Sequence, residues 1–198
     1  VDARGLEVKN ELPDVLDEAK WGLEWILKLH PSPDELYHQV ADDRDHRGFK
    51  LPHEDNADYG WGANSLRPAY YATGKPQGLS KYKSQATGIA NLAGRSSATL
   101  ALGYQVFSKF KGYEVFAQTC LKAAQELYKM GKEQEGYQQG NSFGAPYRYE
   151  ENTWADDMEW AAACLYQISK EKRFLTDART YTQTACGSYT WIDGITYT

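Results

Sequence analysis

The sequence lacks any block of a single charge. Its 22 Lys and Arg stand against 27 Asp and Glu over 198 residues, for a net charge of -5. A nucleic-acid surface needs a basic footprint, so nucleic acid is excluded as a partner. No apolar run approaches the roughly 20 residues of a membrane span, which sets a membrane aside as well. No signal-peptide pattern opens the chain. It begins at Val1 rather than Met and is read as a processed chain or a piece of a longer one. Cysteine is scarce. Cys120, Cys164 and Cys186 are odd in number and widely spaced, which argues against a disulfide framework and a zinc site alike. Cys120 and Cys164 fall inside apolar helical patterns and read as small buried hydrophobes. The four histidines, His30, His38, His46 and His53, lack zinc spacing too.

Aromatics, by contrast, are plentiful, at 14% with 15 Tyr and 6 Trp. Such residues fill cores, and they also stack on flat sugar faces through an apolar ring with a polar edge. Helical periodicity is clearest over 13–30. There Pro13 suits a first helical position, and Val15, Leu16, Ala19, Leu23, Ile26 and Leu27 repeat at helical spacing. Trp21 and Trp25 add a second row. Pro31 and Pro33 then end the helix. Residues 34–88 carry no sustained period and many glycines and prolines, with a short strand expected near Leu36–Val40. A loop of this length in a folded protein usually has work to do. Helices return at about 89–110 and 113–130, with Gly131 expected as a C-cap. A helix at about 154–169 is expected to be capped by Thr153, and a further one covers about 171–184. Helical hairpins joined alternately by short and long loops suit a closed ring of paired helices. The small residues Gly94, Ala98 and Ala161–Ala163 permit close helix contacts there.

Five segments carry a resemblance, in order, over about residues 10–182. PDVLDEAKWGLEWILKLH (Pro13 to His30) has the P-D-[IL]-L-D-E pattern followed by Trp, Leu and L-L-K. LYHQVADDRDH (Leu36 to His46) combines Tyr-x-x-Val with an Asp-His turn. Arg67-Pro68-x-Tyr70 fits R-P-x-[YF]. AGRSSATLALGYQVF (Ala93 to Phe107) is a small-residue helix ending in V-F, and ADDMEWAAACLYQIS (Ala155 to Ser169) is similar to D-E-L-x-W-A-A-x-W-L-Y. Together they resemble glycoside hydrolase family 9, the cellulases and endoglucanases, in the central portion of the catalytic domain.

That resemblance implies an all-α fold, part of an (α/α)6 barrel of six helix pairs with a cleft across one end. It implies inverting hydrolysis of β-1,4-linked glucan, with β-glucan polysaccharide or oligosaccharide as partner and a secreted location. Inversion uses a carboxylate base and a carboxylic acid about 6.5–9.5 Å apart. The family takes its base from a D-A-G-D motif ahead of the P-D-x-L-D-E helix and its acid from a Glu beyond the last matched helix. Neither is found in this chain, so no catalytic residue is assigned and the segment is expected to supply cleft wall. Asp55 and Asp58 reproduce a D-x-x-D spacing with Tyr59 after it, but they follow the signature helix; they are read first as polar loop and second as a substitute pair.

Substrate contacts are expected from Asp45 and His46, at the family's Asp-His turn, and from Phe49 and Trp61 as sugar platforms on the long loop. Tyr149 and Trp154 stand where the family carries aromatic cleft residues. Arg67 and Tyr70 are expected to organise the loop, and Asp157 to act as a structural hydrogen-bond acceptor. No metal or cofactor is required. Asp42, Asp43 and Asp45 alternate in a style that suits Ca2+, without the glycine of an EF-hand loop. Two other readings stay open: a glycan-binding helical module without catalysis, and a helical-barrel hydrolase for another β-glycan.

Overall fold

The computed structural model describes residues 9–46, 48–79, 81–144 and 150–188. Five helices carry it: α1 (Asp14–Leu29), α2 (Ala90–Phe107), α3 (Glu114–Glu133), α4 (Ala155–Ser169) and α5 (Lys172–Ser188). Between α1 and α2 lies a two-stranded antiparallel sheet, β1 (Tyr37–Val40) with β2 (Ala69–Tyr71), pairing Tyr37 with Tyr71, Gln39 with Tyr70 and Val40 with Ala69. The register shifts between Tyr37 and Gln39, so His38 is the extra residue of a β-bulge.

The helix N-termini differ in what meets their free amides. In α1 the carbonyl of Pro13 accepts from the amides of Leu16 (2.7 Å) and Asp17 (3.3 Å), and Asp14 and Asp17 place negative charge on the first turn. Pro13 is thus the N-cap and not the first helical residue. Gly131 does not end α3. The helix runs on to Glu133, because Gly131 is buried where an added Cβ would meet Met158 Sδ at 2.6 Å. Thr153 does not cap α4 either. The N-cap is Trp154, whose side chain makes no capping bond, since an indole has no acceptor. The α2 N-terminus has no side-chain cap. Instead the chain just after α3 supplies carbonyls, Gln134 to the Ile89 amide (2.9 Å), Gly136 to Asn91 (3.3 Å) and Tyr137 to Thr87 (2.8 Å).

Packing follows the small residues. Helix α2 lies against α3 on one side and α4 on the other, α4 lies against α5, and α1 leans on α2 and α3. The buried face of α2 is built from Ala90, Ala93, Ala98, Leu100, Ala101 and Phe107, with Gly94 among them. At Gly94 an added Cβ would sit 2.8 Å from the Asp157 carbonyl carbon. Only glycine lets the two backbones approach so closely. Leu127 and Cys120 of α3 and Met158, Cys164 and Leu165 of α4 fill the remaining core. Cys186 is exposed. Polar bonds tie α5 to α3 and to the chain just after it: Tyr128 donates to Asp177 at 2.8 Å and Tyr181 to Glu135 at 2.8 Å.

The hairpins α2–α3 and α4–α5 turn over short connections at one end. The long connections 30–89 and 134–154 gather at the other, against the N-termini of α2 and α4. Among the described residues, no helix is long and apolar enough to cross a membrane. Gly94→Ala is expected to destabilise the fold by about 1–3 kcal/mol through overpacking. Denaturant unfolding checks this, and the effect should exceed that of Gly22→Ala, where an added Cβ meets nothing within 4 Å.

Candidate functional site

A cavity of about 490 Å3 opens at the long-connection end. Its walls come from β1 and the residues after it, the first turns of α2, the segment 138–141 and Glu151. Its surface is more apolar than polar, with Val40, Ala41 and Leu92 in the lining beside the hydrogen-bonding side chains of His38, Gln39, Asn141, Arg95 and Glu151.

The wall is held by one buried pair. Arg44, 7% exposed, gives Nε to Asp42 Oδ1 at 2.8 Å and Nη2 to Asp42 Oδ2 at 2.6 Å. Its Nη1 donates to the Tyr59 carbonyl at 2.9 Å. Two rings lie against the guanidinium, with centres 4.6 Å (Tyr59) and 4.2 Å (Phe143) away. Tyr70 completes the set by donating to Asp42 Oδ2 at 2.6 Å. Burial works to raise the Asp42 carboxyl, but the bonds from Arg44 and Tyr70 and the Arg44 charge hold it below the usual carboxylate range. Next to it Asp43 accepts from the Phe143 and Gly144 amides, joining the segment after α3 to this turn. Ala41 takes a left-handed φ of +67°, a conformation costly for a residue with a Cβ. Bonds from its amide to Pro68 O (2.9 Å) and to its carbonyl from Gln39 Nε2 (2.8 Å) keep it there.

The opposite wall is charged and paired. Arg95 donates Nε and Nη2 to Asp157 at 3.2 and 3.1 Å, and Nη2 also reaches Glu151. Burial pushes the Asp157 carboxyl up to about 6, against the pull of Arg95. Asn91, fully buried, donates to Gln138 O at 3.1 Å and to Glu151 at 3.3 Å and accepts the Gln138 amide at 3.0 Å.

The residues singled out from sequence fall in different places. Asp45 and His46 line the cavity, with His46 Nδ1 2.6 Å from Asp45 Oδ1. Phe49 and Trp61 are exposed on the long loop and stand outside the cavity lining. Trp154 is also outside it, its ring edge-on to Tyr181 at 5.8 Å. Tyr149, with Tyr147 and Arg148, lies outside the described residues. Asp55 is 2.6 Å from Lys50 Nζ and paired with Arg67. Asp58 is exposed and accepts the amides of Gly60 (2.8 Å) and Gly62 (2.9 Å), which lower its carboxyl. Neither touches the cavity. Arg67 and Tyr70 do organise the loop, and Asp157 is a buried acceptor, as their positions suggest. Among the described residues, no group of three or more His, Cys, Asp or Glu is placed to hold a metal ion. Asp42 and Asp43 are engaged as described above.

The sequence reading passed over Arg44, Arg95, His38 and Asn141. Arg95 had a readable signal: with Asn91 it forms a polar i, i+4 pair in a helix otherwise rich in Ala and Ser. His38 is pushed down to about 4 by burial.

Two outcomes are expected. Arg44→Ala should cost about 3–5 kcal/mol in denaturant unfolding, because it strands a buried carboxylate. Arg44→Lys should not rescue it, lacking the planar fork, and Tyr70→Phe should cost about 1–3 kcal/mol. The second concerns pH. His38 titrates in the fold at about 4, below its ordinary 6.5. The unfolded chain therefore takes the proton first, and the stability present above pH 6.5 is lost as pH falls from 6.5 to 4. Asp157 runs the other way, from an ordinary 3.8 to about 6: its stability is present below 3.8 and lost as pH rises through 6. The difference between wild type and His38→Gln isolates the first effect. It should shrink by up to about 3 kcal/mol between pH 7 and pH 4, read from unfolding free energies at each pH.

The chain is similar in sequence and fold to known proteins. The model of glycosyl hydrolase family 9 matches residues 3–196. Endoglucanase 19 of Arabidopsis thaliana is 28% identical over 172 residues, 86% of this chain and 24% of the relative. Endoglucanase C of Cellulomonas fimi is 30% identical over 173 residues, 86% of this chain and 14% of the relative. Among solved structures, the cellulase Cel9M of C. cellulolyticum superposes with a TM-score of 0.61 at 28% identity, covering 85% of this chain and 34% of that one. The endoglucanase of the termite Nasutitermes takasagoensis shares the fold with a TM-score of 0.62 at 23% identity, over 86% of this chain and 35% of that one. The chain spans about a quarter of the length of the curated plant relatives it matches. Helical hairpins with short turns at one end and long connections at the other are part of an (α/α)6 barrel, as in those structures. The family match runs from before α1 to beyond α5, so the chain along nearly its whole length, and not through one motif, belongs to glycosyl hydrolase family 9.

Proposed function

We propose that this chain forms part of the substrate cleft of an inverting β-1,4-glucan hydrolase. The observation that carries this reading is a cavity of mixed character, apolar surface set with hydrogen-bonding side chains, at the long-connection end of a family 9 part-barrel, with the Asp45–His46 turn on its wall. A sugar presents hydroxyls that both donate and accept, and a cleft of fixed amides, imidazoles and paired charges offers partners of both kinds. The chain does not supply the acid and base itself. Among the described residues, the cavity's carboxylates have other work: Asp42 holds Arg44, Asp43 holds two amides, Asp45 meets His46 and Glu151 meets Arg95. Asp55 and Asp58 serve their loop. The base and the raised-pKa acid of an inverting mechanism come from other parts of the whole protein. One related structure, that of Cel9M, was solved with cellobiose, which supports a cello-oligosaccharide as the ligand. A secreted location goes with this reading, since polymeric glucan is met outside the cell.

A second reading, glycan binding without catalysis, rests on the same cavity and on the absence of an unpaired carboxylate couple among the described residues lining it. One experiment separates them. The chain is expected to bind cellotetraose in titration calorimetry but to release no reducing sugar from carboxymethyl-cellulose, while the same assay on the whole protein releases it. Turnover by the chain that is lost in Asp55→Asn or Asp58→Asn would place the chemistry on the loop and overturn this assignment. Binding without turnover by the whole protein would favour the binding module.

A further inference from the structure

His38 occupies an unusual position for a residue of a two-stranded sheet. It is the extra residue of the β-bulge between Tyr37 and Gln39, and bulges re-aim a side chain, often beside a functional cleft. It lines the cavity. Two amide groups approach its Nε2: Gln77 Nε2 at 3.3 Å and Asn141 Nδ2 at 3.4 Å. The orientation of Gln77 is fixed independently, because the same nitrogen donates to the Tyr71 carbonyl at 2.9 Å, and a carbonyl can only accept. A donor therefore faces His38 Nε2, which must be the lone-pair nitrogen. The proton resides on Nδ1. No hydrogen bond to Nδ1 is found among the described residues. Protonating the ring would set a third donor against two, and burial adds to that cost, in keeping with its lowered affinity for a proton.

We propose that His38 is a substrate-contacting residue, held as a neutral imidazole that presents Nδ1–H to a hydroxyl of an uncharged sugar unit in the cavity. The proposal rests on the glucan-cleft reading and adds a substrate contact to it. A neutral donor with its lone pair already occupied can give a hydrogen bond and cannot take a proton. His38 thereby fixes the position of a sugar hydroxyl and takes no part in proton transfer.

The substitutions that mimic each ring nitrogen are different, which makes the test discriminating. An asparagine places its amide nitrogen near the Nδ1 position. A glutamine places its terminal amide near Nε2 and can accept there from Gln77 and Asn141. Cellotetraose binding to the 198-residue chain is measured by titration calorimetry for wild type, His38→Ala, His38→Asn and His38→Gln, with circular dichroism to confirm folding. We expect about tenfold weaker binding for the Ala and Gln variants, the loss of one neutral hydrogen bond, and recovery to within about threefold for Asn. The reverse order, with Gln restored and Asn weak, would mean that His38 acts only by propping Gln77 and Asn141, and would overturn the proposal. So would wild-type affinity in all three variants. Nitrogen-15 NMR of the wild-type chain needs no variant: an Nδ1–H tautomer whose Nδ1 signal moves on adding cellotetraose is expected, and an Nε2–H tautomer overturns the assignment. A folded wild-type chain that fails to bind cellotetraose would remove the glucan-cleft reading and the proposal together; binding by wild type with indifferent variants removes the proposal alone.

Discussion

The cleft depends on taking one guanidinium out of water. Arg44 is nearly buried against a fully buried Asp42 carboxylate, and such a pair is tolerable only when every donor and lone pair is met. Here partners come from separate parts of the chain: Tyr70 from β2, the Tyr59 carbonyl from the long loop, and the rings of Tyr59 and Phe143 against the guanidinium. The energetic demand of the pair thus becomes a geometric one. Three stretches far apart in sequence must converge on a single side chain, and their convergence shapes the cavity wall. Stability alone would be served as well by an apolar cluster of the same volume; the ion pair adds fixed directions.

The helices play a different part. Gly94 and Gly131 let α2, α3 and α4 pack at near-backbone distance, so that the first turns of α2 and α4 come together under the cavity. Arg95 and Asp157 then reach across between them, and Asn91 holds the segment around Gln138 above. The chain leaving α3 closes the free amides of α2 with its carbonyls. The floor of the cavity and the end of the helix are in this way made of the same hydrogen bonds.

How much of this could be read beforehand depended on the range of the interaction. Helical periods are local, and α1 to α5 were legible to within a few residues from Leu, Ala and Trp spacing. Where the termini were misread, the reason was tertiary. Gly131 looked like a stop because glycine favours left-handed caps, but it is present to admit Met158. Thr153 looked like a cap, but the helix starts one residue later. Asp45 and His46, picked from a local Asp-His turn, do line the cavity. Arg44 was not legible, since nothing near it in sequence reveals that Tyr59, Tyr70 and Phe143 would surround it. His38 was passed over for the same reason: a bulge is a property of two strands in register, and its partner strand lies about thirty residues on. Phe49 and Trp61 were chosen for being aromatic, which the sequence shows, whereas cavity membership is decided by the path of the loop.

The unequal tethering of the two long connections bears on how such a protein can vary. The segment from Gln134 to Gly144 is bonded to the rest of the molecule at Ile89, Asn91, Gln85, Gln39 and Asp43 in turn. Adding or deleting a residue there would shift every later partner out of step. The stretch from Lys50 to Leu66 is held chiefly through Asp55, Asp58 and Tyr59, with local bonds between them. It can lengthen between those points at little entropic cost. Variants of this chain can therefore take new rim shapes on one side of the cavity while the other side stays metrically fixed.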